Sequence, residues 1–184
     1  MQRAFHHGLP VTTIRLALAG CLTASLIWLS AILAAPSGMA AEATPLARAS
    51  AALVYLTGHT VCHQRPERSF WRAGHPLPVC ARCTGIYAAA PIVCLIALCL
   101  PAGPLAAASR RLATPRAIAI AALPTLVTVL VEWTTGWTDA GVRAAAGVAL
   151  GLGGAGLVCG AIGLRADATA PVSPPALPRA SARL

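Results

Sequence analysis

Apolar residues in this chain run continuously, in four long stretches, instead of recurring at the spacing of a half-buried surface helix. The stretches are approximately Ile14–Ala35, Thr84–Leu100, Ala117–Trp133 and Val142–Leu164. A helix needs about 20 residues to cross roughly 30 Å of hydrocarbon. The pattern therefore predicts an all-α fold, an integral membrane helical bundle of about four transmembrane helices. Pro101 and Pro104 stop the second span. Pro124 lies inside the third, where a lipid-embedded helix tolerates proline and usually kinks.

Polar punctuation divides the chain further. Residues 1–48 read as an anchor span and linker, 49–164 as a membrane domain of three spans, and 165–184 as a Pro-, Ala- and Arg-rich disordered tail. Gly38-Met39-Ala40 offers small residues at a position like a signal-peptide cleavage site. The apolar run before it exceeds the usual h-region of about 7–15 residues, so a retained anchor is the preferred reading. Ala49–Tyr55 is a candidate short helix, and Arg110, Arg111 and Arg116 are assigned to a loop. Span four carries Gly147-x3-Gly151 and Gly156-x3-Gly160, a spacing that lets helix backbones approach closely. Packing within the bundle is the preferred use of these glycines, and a homo-oligomer is the second.

Composition agrees with a lipid environment. Apolar residues make up 57% and charged residues 10%, against about 25% charged in soluble domains. The net charge of +9 comes from arginine alone. These arginines are scattered over termini and loops without interleaved aromatics, which argues against nucleic acid and for topology-setting flanks. Placing the start of span one, the Arg110–Arg116 segment and the tail inside gives a four-span protein of the bacterial cytoplasmic membrane. The segment before span two then faces outward.

That segment, Cys62 to Tyr87, is where chemistry concentrates. It holds Cys62, Cys80 and Cys83, the imidazoles His63 and His75, and Arg65, Arg68, Arg72 and Arg82 beside Glu67. Cys80 and Cys83, two residues apart, can place both sulfurs on one ion, and Cys62 supplies a third. His63 is the favoured fourth ligand, with His59 and His75 as alternatives. Zinc is the primary candidate, and copper also suits thiolate and imidazole. Gln64, Glu67, Arg68 and Arg82 would fix the loop or support the ligands. The same cysteines admit a thiol–disulfide oxidoreductase with Cys80 and Cys83 as the active pair, since a helix N-terminus favours a thiolate. A third reading is a membrane assembly or transport accessory protein without chemistry of its own. Cys21, Cys94, Cys99 and Cys159 lie in apolar spans and read as small hydrophobes.

Topology adds residues from outside the segment. Span two leaves the Cys/His face and span three returns to it. Trp133, Asp139 and Arg143 must therefore share that face with the three cysteines, and Glu132 must approach it. An ionisable residue near lipid marks a candidate site.

The residues Cys62-His63-Gln64, Pro66-Glu67-Arg68-Ser69-Phe70 and Leu77-Pro78-Val79-Cys80-Ala81-Arg82-Cys83-Thr84-Gly85-Ile86-Tyr87 resemble the signature of domain-of-unknown-function family 2085, small membrane proteins. Arg143 and Gly147 are similar to an Arg-x3-Gly in its last span. The resemblance implies a multi-span fold and carries no activity. Span one and the tail look like additions to the family core.

Overall fold

The computed structural model describes residues 11–112, 114–137 and 139–167. The expectation for most of the tail falls outside the described residues. Six helices follow in order: α1 (Val11–Gly38), α2 (Pro45–Val61), α3 (Ala81–Cys99), α4 (Ala102–Leu112), α5 (Pro115–Thr135) and α6 (Ala140–Asp167). Four of them, α1, α3, α5 and α6, are long and apolar enough to cross a membrane. The expected bundle is therefore observed.

Their exteriors are what lipid requires. Leu16, Ile27, Ile120, Leu126 and Leu130 are exposed on the outer surface.

The tightest pairing is α3 against α6. Gly85 faces the backbone of Ala144, while Gly147 and Gly151 face the backbones of Arg82 and Ile86, so that any β-carbon there would collide. The Gly147-x3-Gly151 motif is thus used inside the bundle, and Gly156 lies against Leu112 of α4. On its other side α3 packs against α1, which runs antiparallel to it. Ile14 and Leu18 meet Cys94 and Ala97 near one end. Ile32 meets Cys62, Leu77 and Val79 near the other. Trp28 and Tyr87 make an edge-to-face ring contact at 5.9 Å, a favoured aromatic geometry.

Two helices depart from the sequence expectation. The stretch expected to hold a short helix over 49–55 is helical from Pro45. Thr44 caps it by accepting the Ala47 N–H at 3.2 Å, and proline at the first position suits a helix start. The segment assigned to a loop forms α4, because Arg110 and Arg111 fall in its last turn, where cations oppose the helix dipole, and Leu105 buries against Gly163. Arg116 likewise belongs to the first turn of α5, after the Thr114 cap.

Between α2 and α3 the chain makes a 3-10 turn at Pro66–Arg68 and a two-stranded hairpin, β1 (Trp71–Arg72) with β2 (His75–Pro76). Ala73 and Gly74 both have positive φ, 49° and 78°, which fits the tight turns that join twisted strands.

Candidate functional site

The cysteine segment is held at the α3 N-terminus by polar ties and one strained residue. Gln64 adopts φ 47°, a left-handed conformation unusual for a side chain of its kind. The turn sends its side-chain amide back to donate to the carbonyls of Tyr55 at 2.6 Å and Pro78 at 2.8 Å. Gly58 lies directly under that amide and against the Pro78 carbonyl, leaving no room for a β-carbon. The Tyr55 hydroxyl donates to the Pro76 carbonyl. The end of α2 is thereby fastened to the strand that leads into Cys80.

Cys62, Cys80 and Cys83 converge on one point. Their sulfurs lie within 4.8 Å of one another, with Cys62 buried and the other two half-buried. The Cys80 backbone N–H donates to the Cys62 sulfur at 3.2 Å. Hydrogen bonds from the Cys80 and Cys83 thiols, and then that backbone N–H, hold the Cys62 thiol well below the usual thiol range, against the opposing effect of burial. Cys80 is the N-cap residue of α3 and Cys83 lies in its first turn. A two-residue separation thus turns both sulfurs toward Cys62.

The remaining candidates divide. His63 lines the cleft beside the sulfurs, but its ring lies outside their cluster, as do His59 and His75. Glu67 is exposed on the 3-10 turn. Asp139 is exposed and accepts the Val142 N–H at 2.8 Å, capping α6. Glu132 and Arg143 are buried and paired. Arg143 Nε donates to Glu132 Oε1 at 2.8 Å, and Arg82 Nη2 donates to the same oxygen at 3.0 Å. Arg82 also donates to the Thr128 hydroxyl at 3.1 Å. One carboxylate therefore joins α3, α5 and α6.

Arg65, Arg68, Arg82 and Arg143 line a cleft of about 310 Å³ that opens onto the three sulfurs. Sequence reasoning did not include Thr128, Tyr55, Gly58 or Ile32 in the site. Thr128 stands one helical turn before Glu132, so the spacing that places them on one face was there to be read. Ile32 lies in span one, and no motif points to it.

Fold and site together define a polytopic helical membrane protein with a thiol cluster where one pair of spans meets the membrane face. The chain belongs to the family described as predicted membrane protein DUF2085, whose model matches residues 62–157. Two curated relatives are similar over short segments, both described as uncharacterised. One, from Methanothermobacter thermautotrophicus, is 51% identical over 41 residues, covering 22% of this chain and 37% of the relative. The other, from Methanocaldococcus jannaschii, is 53% identical over 34 residues, covering 18% of this chain and 22% of the relative. The matches thus span well under half the length of either archaeal protein. No solved structure matches the chain. The matched family segment begins at Cys62, so α1 and all of α2 lie outside it even though Ile32 closes over the site.

Proposed function

We propose that Cys62, Cys80 and Cys83 bind one zinc ion, with His63 as fourth ligand, and that the ion locks the end of α2 to the start of α3. The carrying observation is the convergence of three sulfurs within 4.8 Å of one another. Tetrahedral zinc with bonds of about 2.3 Å separates its sulfurs by about 3.8 Å, so the cluster fits the ion after small adjustments. Donation of the Cys80 N–H to the Cys62 sulfur favours the thiolate that a metal needs. The role in this reading is structural or regulatory, and zinc supplies no redox chemistry. Copper is the alternative ion for the same donors.

Arg110 and Arg111 lie in the last turn of α4 and Arg116 in the first turn of α5, past the α3 end that is opposite the cysteines. With that end cytoplasmic, the cysteine face is the outer one. A second reading, thiol–disulfide exchange by Cys80 and Cys83 with Cys62 resolving, draws on the same mutual proximity. X-ray absorption at the zinc edge on the purified full chain separates them. Zinc reconstituted into the chain should show three sulfurs and one nitrogen, with the nitrogen replaced by oxygen in His63→Ala. A shell of oxygens alone would refute the assignment.

A further inference from the structure

The cleft above the sulfurs holds more positive charge than its surroundings neutralise. Four guanidiniums, from Arg65, Arg68, Arg82 and Arg143, line it. The carboxylate bonded to this group is Glu132, and a single oxygen of it serves both Arg82 and Arg143. Among the described residues, one carboxylate therefore faces four guanidiniums. Arg143 is 2% exposed and Arg82 is largely covered, yet Arg143 Nη2 and Arg82 Nε have no hydrogen-bond partner among the described residues. A buried guanidinium nitrogen left unpaired is costly and calls for an acceptor.

We infer that this cleft is a binding site for a phosphate group. Planar guanidiniums match the oxygens of a phosphate in pairs, and such charge-assisted bonds are the strongest of their kind. The volume, about 310 Å³, is that of roughly ten waters at about 30 Å³ each, which admits a phosphate with part of a substituent. Arg65 and Arg68 approach from the polar segment, and Arg82 and Arg143 from the helix ends. The site therefore lies where the bundle leaves the hydrocarbon, within reach of either a lipid headgroup or a soluble phosphate.

The test uses the full chain in maltoside micelles free of phosphate. Binding of labelled inorganic phosphate and of short-chain phosphatidic acid is measured by equilibrium dialysis against chloride of matched ionic strength. Saturable binding of about one equivalent is expected, weakened tenfold or more in the double variant Arg65→Gln/Arg68→Gln and unchanged in Arg111→Gln. Binding of the lipid alone identifies a headgroup as the source, and binding of inorganic phosphate identifies a soluble one. Both outcomes support the site. Arg65 and Arg68 lie outside the Glu132 hydrogen bonds, so the double variant should fold, and its unfolding midpoint checks this. Neither probe binding above the chloride background to the wild-type chain would overturn the proposal, as would equal binding by the double variant.

Discussion

Arg143 and Glu132 meet across the α5–α6 turn with Nε and Oε1 2.8 Å apart, and Glu132 is the one buried residue of α5 among those described. The rest of α5 presents Ile120, Leu123, Leu126 and Leu130 to the exterior. Hydrocarbon gives an apolar helix little reason to choose a protein neighbour over lipid. The carboxylate, together with Thr125 donating to the Ala146 carbonyl at 3.1 Å, is what fixes α5 against α6.

Glu132→Ala should therefore destabilise the bundle by about 3–5 kcal/mol, because it strands the buried Arg143 guanidinium and the largely covered Arg82. Asp139→Ala, which removes a helix cap, should cost only about 1 kcal/mol. Unfolding of both variants by denaturing detergent, monitored by helicity, checks the contrast. Equal losses would show that Glu132 is no more than a surface group.

Close approach of α3 and α6 brings Arg82 beside Arg143. Gly147→Val should disrupt this approach, lowering the unfolding midpoint and loosening the cysteine cluster, since its β-carbon would meet the Arg82 backbone. Gly154 has nothing within 4 Å, and Gly154→Val should be tolerated. Thermal unfolding with thiol-alkylation rates reads both. If the glycine motif instead served association between copies, Gly147→Val would change the oligomeric state and leave the thiols as protected as before.

The helix α1 should remain in the mature protein. Ile32 is fully buried against Cys62, Leu77 and Val79, and Leu18 is buried near Cys94. Intact-mass measurement of protein from membranes should show a chain that includes α1. Ile32→Ala should destabilise by about 2–5 kcal/mol through the cavity it leaves and should speed alkylation of Cys62. A mass beginning after Gly38 would contradict this packing.

The membrane architecture was legible in the sequence because lipid imposes one rule, a long apolar run, and each run shows it. The site was legible in part. Cys62, Cys80 and Cys83 could be grouped by spacing, and Glu132 and Arg143 could be placed at the same face by counting crossings. Helices α2 and α4 were harder to read. Their starts rest on a Thr44 cap and on packing against α6, and both are mixed in polarity. The hairpin at Ala73-Gly74 is two residues deep on each side and leaves little periodic signal. His63, adjacent to Cys62, could be proposed as a ligand from sequence, and it lines the cleft beside the sulfurs although its ring stands outside their cluster. Asp139 was grouped with the site by topology, whereas its short side chain serves the backbone of α6.

The buried pair Cys94 and Cys159 supplies an internal control. Their sulfurs lie 3.7 Å apart between α3 and α6, toward the end of the bundle away from the site. Substituting both by alanine should leave metal content unchanged and lower stability by about 1–3 kcal/mol, the order expected for small cavities in a packed interior. Elemental analysis and detergent unfolding of the double variant check this. Loss of metal would show that the apolar thiols, not the polar ones, hold it.

The most direct measurement is the metal-to-protein ratio of the purified full chain by elemental analysis, run beside Cys80→Ser and Cys83→Ser. The account predicts one zinc per chain in the wild type, little or none in either variant, and thiols that resist alkylation until a chelator is added. A chain without metal that carries a reversible Cys80–Cys83 disulfide would contradict it.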